Sequence, residues 1–249
     1  MDAAVLENAV NVPSDSPGTL GSPSSPTPVR AFIFDMDDTL VATSALWRDA
    51  EEHLLLALGA KWSPALAAKY KGMNALDVAA TIWRELEPPL GLAQCQRIMR
   101  DRLLENFRRM PIREINGAVR LVRRCAEVGN VAMAVASGSP MEAIGYALEQ
   151  LGIGDAFGCV LSSEAVPRGK PQPDVFLAVA QQLAVAPRAC LVFEDSLIGA
   201  QAARAAGMAC MVCPSVSAEG IATVASSVVS AWDQVKSEQL EQYYLGQAR

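Results

Sequence analysis

Short apolar runs alternate with segments of helical spacing along most of this chain, and the alternation is broken once. Runs at 29–34, 131–136, 159–161, 190–193 and 209–212 carry the apolar, β-branched and aromatic residues of buried strands. Helical patterns over 116–129, 141–151, 174–183 and 197–206 lie between the later runs. Strands separated by helices pair in parallel, with helices on both faces of the sheet. Between the first two runs, 44–109 is dominated by Ala, Leu, Glu and Arg at helical spacing, with Pro64, Gly72, Pro88 and Gly91 as punctuation. The expected fold class is α/β: a doubly wound, parallel-sheet, Rossmann-like core with an inserted all-α block. Residues 1–28, rich in Ser, Pro and Gly, are expected to be a disordered tail. Residues 29–42 and 113–249 form the expected core, and 43–112 the insertion. No internal repeat is visible.

Composition narrows the function. Half of the 249 residues are hydrophobic (51%) and 19% are charged, enough apolar surface for a large core. The net charge of −6 argues against a nucleic-acid surface, although a local positive pocket can still bind a small anion. No run reaches the roughly 18 apolar residues of a membrane span, and the N-terminus lacks the basic-then-apolar pattern of a secretory signal. The six cysteines, Cys95, Cys125, Cys159, Cys190, Cys210 and Cys213, sit mostly in apolar runs and read as buried thiols of a reducing, cytoplasmic compartment. Cys210 and Cys213 form a CxxC within a strand-like run, without the helix start of a redox motif or the second pair of a zinc site.

In a doubly wound sheet, ligands bind beyond the carboxyl ends of the strands. The residues just past the apolar runs are Asp35-Met36-Asp37-Asp38-Thr39, Ser137-Gly138-Ser139-Pro140, Gly169-Lys170-Pro171-Gln172-Pro173-Asp174 and Glu194-Asp195-Ser196. Several carboxylates, a hydroxyl beside a glycine and one lysine thus converge on one end of the sheet. Close carboxylates repel unless a cation compensates them. Mg²⁺ suits a site of few carboxylate oxygens. Together with Lys170 it would attract a phosphate, whose oxygens can also bond backbone N–H groups beside Met36 and Gly138.

These four ordered motifs resemble the haloacid dehalogenase (HAD) superfamily over about residues 29–215, and most of all its phosphatases and phosphoglucomutases with a small helical cap. The resemblance implies that Asp35 is the nucleophile, forming an aspartyl-phosphate, and that Asp37 is the general acid and base. It implies Ser137 and the Gly138 amide on the phosphoryl oxygens, and Lys170 neutralising nucleophile and phosphate. Mg²⁺ would be held by the Asp35 side chain, the Asp37 carbonyl and Asp195, with Glu194 as an outer partner or alternative ligand. Asp38 is expected to make turn contacts and Asp174 to cap or brace a loop. Ser137 is also compatible with a helix N-cap role, and Gly207 with a left-handed helix end. His53, the one histidine, lies within a helix of the insertion with no partner for a ligand role.

The insertion would be the cap, and the loop at Lys69-Tyr70-Lys71-Gly72-Met73-Asn74 the segment that selects substrate, with Lys71 touching an anionic group. β-Phosphoglucomutase relatives carry a histidine and an arginine where this chain has Trp47 and Ala75, which favours hydrolysis. The expected activity is Mg²⁺-dependent hydrolysis of a small phosphorylated metabolite of the sugar or polyol phosphate class, by a monomer or weak homodimer. A phosphoglucomutase-like phosphotransferase is the alternative. Pyrophosphate hydrolysis and a non-catalytic phosphometabolite-binding regulator follow behind.

Overall fold

Six strands form one parallel sheet in the order β3-β2-β1-β4-β5-β6. In this computed structural model residues 27–216 and 219–245 are described; the expected tail falls, apart from its last two residues, outside them. The strands are β1 (Ala31–Phe34), β2 (Ala132–Ser137), β3 (Cys159–Ser162), β4 (Cys190–Glu194), β5 (Ala209–Val212) and β6 (Ser227–Val228). The central register aligns Phe34 with Val135 on one side and with Phe193 on the other.

Alternation along the strands divides the core in two. Phe32, Phe34, Val135, Phe193 and Met211 face one way. Ala31, Ile33, Ala134, Ala136, Val192 and Cys210 face the other. The first face packs on α5 (Ala118–Glu127) and α6 (Met141–Gln150) through Leu121, Val122, Ile144 and Leu148. There Phe34 stacks on Phe193 at 4.6 Å, and Trp232 closes over Phe193 edge-on at 5.9 Å. The second face is covered by α7 (Asp174–Gln182) and α8 (Leu197–Ala205) through Val175, Phe176, Val179, Ala200 and Ala203.

Between β1 and α5 come four helices: α1 (Ser44–Ala57), α2 (Pro64–Tyr70), α3 (Ala75–Leu86) and α4 (Leu92–Arg109). Leu46, Ala50 and Leu54 of α1 are buried with Met99, Leu103 and Phe107 of α4, in the same apolar cluster as the first sheet face. The buried Asn106 donates to the Leu46 carbonyl at 2.8 Å and so fastens α4 to α1. The chain enters and leaves this block at one place. Val41 bridges Glu114, the Ala42 N–H donates to the Arg113 carbonyl at 2.9 Å, and the Ile115 N–H to the Leu40 carbonyl at 2.9 Å.

Several expectations need correction. The run at 209–212, expected as the final strand, is not the last, because α9 (Ile221–Val224) leads into β6, which pairs beside it, and α10 (Ser237–Leu245) follows. Two-residue strands carry too little pattern to read. Ser137 ends β2 and caps no helix; Pro140 stands at the N-cap of α6. Cys213 is only half-buried, whereas the other five cysteines are buried, and all six are free thiols. Gly207 does adopt a left-handed φ of 73° after α8. No helix of the described residues is long and apolar enough to cross a membrane.

Candidate active site

The strand order puts β1 between β2 and β4, so the residues following β1 meet those ending its neighbours. Asp35 extends the β1–β4 ladder by one bond, its N–H donating to the Phe193 carbonyl at 2.9 Å. One carboxylate oxygen of Asp35 accepts from Lys170 Nζ at 2.7 Å. The other, Oδ2, is buried and accepts from no described residue. Burial pushes the Asp35 carboxyl well above the usual carboxylate range. Lys170 opposes this, while Glu194, Asp195 and Asp37 add to it.

Lys170 is itself buried, donating also to Glu194 Oε1 at 2.6 Å and to the Ala136 carbonyl at 3.3 Å, with its ammonium 4.9 Å over the Phe176 ring. Burial works against that charge, but Asp35 and Glu194 outweigh it and hold the lysine protonated. Glu194 has little left to offer a ligand. Its Oε2 accepts from the N–H groups of Asp195 (3.0 Å) and Ser196 (3.1 Å) and from the Ser196 hydroxyl (3.0 Å). A side chain on Gly199 would collide with this carboxylate, so the glycine at the start of α8 leaves it room. Ser196 caps α8 through the Gly199 N–H at 3.0 Å.

Asp37 is held by three side-chain donors. Ser137 Oγ reaches its Oδ2 at 2.7 Å, Ser139 Oγ lies 2.9 Å from Oδ2, and Trp47 Nε1 donates to Oδ1 at 2.8 Å. Asp38 does more than shape a turn. At φ 57° it receives the N–H groups of Thr43 and Ser44 and pairs with Lys71, which also lies 2.9 Å from Asp195 Oδ2. Lys71, expected beside an anionic substrate, thus bridges two acids of the sheet end. Asp195 also accepts from Ser215 Oγ at 2.6 Å. Burial raises its carboxyl to about 6, against the pull of Lys71 and with the push of Glu194. Asp174 braces Arg168, and His53 is exposed on α1.

The α2–α3 loop lies directly on the sheet end. Ser63 caps α2, with Pro64 at its first position, and Asn74 caps α3, which fixes the loop between them. A Cβ on Gly138 would stand 2.8 Å from the Met73 carbonyl, so glycine is what lets the loop approach. The backbone N–H groups of Met36 and Gly138 have no acceptor among the described residues. Between loop and sheet opens a cavity of about 390 Å³, lined by Asp35, Asp37, Lys71, Gly138 and Asp195 and, from the helical block, by Trp47, Glu51, Trp62 and Tyr70.

A haloacid dehalogenase-like hydrolase model matches residues 29–207. The chain belongs to that family. Hexitol phosphatase B of Escherichia coli (strain K12) is 30% identical over 201 residues, which cover 79% of this chain and 88% of that one. Fructose-1-phosphate phosphatase YqaB of the same strain is 31% identical over 181 residues, 71% of this chain and 92% of that one. Among solved structures, β-phosphoglucomutase from Clostridium difficile superposes with a TM-score of 0.76 at 23% identity, covering 87% of this chain and 97% of that one. CbbY from Rhodobacter sphaeroides, in complex with phosphate, gives 0.73 at 24% identity, covering 83% and 96%. These two share the fold.

Within this HAD-like hydrolase, the motif residues Asp35, Asp37, Ser137, Lys170, Glu194 and Asp195 do converge. Ser139, Ser215, Trp47 and Glu51 complete the site and were not singled out for it. Ser139 and Trp47 had a signal, since each lies beside a motif or at a position already compared. Ser215 and Glu51 had none, because only the fold brings them there.

Proposed function

We propose that this chain is a Mg²⁺-dependent phosphomonoesterase acting on a small sugar or polyol phosphate through an aspartyl-phosphate. One observation carries the reading: a buried carboxylate, Asp35, has one oxygen on a protonated lysine and the other unpartnered, beside a second carboxyl held by three donors.

The donor set fits a hard divalent cation. Asp35, Glu194 and Asp195 each place an oxygen within 4.8 Å of the others, and burial together with the neighbouring acids opposes ionisation of Asp35, which a bound cation would favour. Asp35 and Asp195, with the Asp37 carbonyl, would hold it, while Glu194 with both oxygens engaged fixes Lys170. Bound there, Mg²⁺ would offset the repulsion between carboxylate and phosphate.

Asp35 attacks phosphorus as the ester P–O bond breaks, and Asp37 gives its proton to the leaving oxygen. Asp37 then takes a proton from water, whose oxygen attacks phosphorus and frees Asp35. Lys170 neutralises charge on the nucleophile, while Ser137 and the free amides of Met36 and Gly138 receive the phosphoryl oxygens. The α1–α4 block acts as the cap that excludes water. Relatives named for hexitol and fructose 1-phosphate hydrolysis support the substrate class. Trp47, which donates to Asp37 where the mutases carry a histidine, counts against phosphotransfer between sugar positions.

A panel of phosphorylated metabolites, assayed for phosphate release with and without Mg²⁺ and with Asp35→Asn, tests this. Metal-dependent release that the variant loses is expected. Isomerisation of a sugar phosphate without release would establish the mutase, and tight binding without turnover a regulator.

A further inference from the structure

Glu51 is a buried acid with no cation paired to it. It sits on the inner face of α1 beside Ala50 and Leu54, with 5% of its surface exposed, and no described lysine, arginine or histidine forms an ion pair with it. Buried glutamates are almost always paired. Here the one hydrogen bond is from a neutral donor, Trp62 Nε1, to Oε2 at 2.7 Å. Oε1 accepts nothing from the described residues yet is not sealed from solvent, and the residue lines the cavity that begins at Asp35. A carboxyl so placed has a hydrogen-bonding position open to whatever fills the cavity. Desolvation raises it above the usual range, so the structure bears a cost at this position that a ligand hydroxyl would relieve.

The charges around the cavity restrict that ligand. Five carboxylates line it: Asp35, Asp37, Asp38, Glu51 and Asp195. The two lining cations are engaged. Lys71 lies between Asp38 and Asp195, and Arg48 lies 4.3 Å over the Trp62 ring and pairs with Glu52. Once the transferred phosphoryl group is neutralised at Asp35, no lining cation remains for a second anionic group.

We propose that the α1 side of this cavity is the leaving-group subsite, that Glu51 is its specificity-determining residue, and that it takes an uncharged, hydroxyl-bearing leaving group while rejecting one with a second phosphate or a carboxylate. This rests on the phosphomonoesterase reading above and deepens it. The indole and phenol walls of Trp62 and Tyr70 give the carbon skeleton of such a group an apolar surface.

The test compares kcat and KM of the full chain, Glu51→Leu and Glu51→Gln, in Mg²⁺, on sorbitol 6-phosphate, fructose 1-phosphate, fructose 1,6-bisphosphate, phosphoethanolamine and acetyl phosphate. Glu51→Leu is expected to raise KM for sorbitol 6-phosphate about tenfold more than for acetyl phosphate, whose leaving group has no hydroxyl, with a smaller change in kcat. Glu51→Gln keeps hydrogen-bonding capacity and is expected to recover most of the loss. The unsubstituted protein should prefer fructose 1-phosphate to the bisphosphate by about tenfold or more. Equal losses on sorbitol 6-phosphate and acetyl phosphate would mean that Glu51 only braces Trp62, and would overturn the proposal. So would equal turnover of the bisphosphate, or a preference for phosphoethanolamine. If the unsubstituted protein hydrolyses nothing, acetyl phosphate included, the hydrolase reading fails separately. Calorimetric titration of sorbitol 6-phosphate then decides the subsite, and no binding, or equal affinity for Glu51→Leu, overturns it.

Discussion

Asp37 shows what a single side chain requires here. A carboxyl that must first give and then take a proton has to keep its aim through both steps. Ser139, just after β2, and Trp47, on α1, provide that, leaving the Ser137 hydroxyl, which also reaches Asp37, to turn to the phosphoryl group in the proposed reaction. Removing one donor loosens the carboxyl without removing it. Ser139→Ala and Trp47→Phe should each lower kcat about tenfold, with a smaller change in KM, as expected for about 1.4 kcal/mol of lost hydrogen bonding. Steady-state kinetics on a hydrolysed ester checks this, and an effect confined to KM would assign Ser139 and Trp47 to ground-state binding instead.

At the scale of elements, the α2–α3 loop is tied to the sheet end by the Lys71–Asp38 pair. Burial opposes ionisation of Asp38, but Lys71, the Ser44 hydroxyl and the Thr43 N–H together hold its carboxyl below the usual range. A carboxyl whose folded value is depressed contributes stability above its unfolded value, about pH 4, and loses it as pH falls through the lower folded value. Asp38→Asn should therefore be less stable than the unsubstituted protein at pH 7, and the gap should close toward pH 3. Urea midpoints across that range measure it, and parallel curves would refute it. The same loop shows the limits of reading a sequence. The strands and most helices declare themselves by period, and the motif acids by their place after apolar runs. The pairing of Lys71 with Asp38 and Asp195 depends on how α2 and α3 are capped and how closely Met73 approaches Gly138. That close approach is a tertiary fact with no local signature. Glu51 was hidden for the same reason, as an acid on an otherwise ordinary amphipathic helix.

For the whole molecule, the concentration of acids at one end of the sheet makes folding and ligand binding depend on each other. Asp35, Glu194 and Asp195 are buried together, and Lys170 offsets only part of their repulsion. A cation that binds the native state alone should stabilise it. At 100 times its dissociation constant Mg²⁺ would add about 2.7 kcal/mol, raising Tm by roughly 5–10 °C for a chain of this size. Thermal melts with Mg²⁺ and with a chelator test this, and Asp195→Asn should abolish most of the rise. A Tm indifferent to Mg²⁺ would remove the metal site from the proposed mechanism.

The narrow neck at Val41 and Glu114 bears on ancestry and engineering alike. Because the helical block leaves and rejoins the core across one pair of neighbouring residues, the intervening stretch of gene can be lengthened, shortened or exchanged while both ends still meet. Under the proposed roles, Glu51, Trp62 and Tyr70 are encoded apart from Asp35, Ser137, Lys170 and Asp195, and a lineage could change what it recognises by recombination at two sites provided that the new block kept a donor in the place of Trp47.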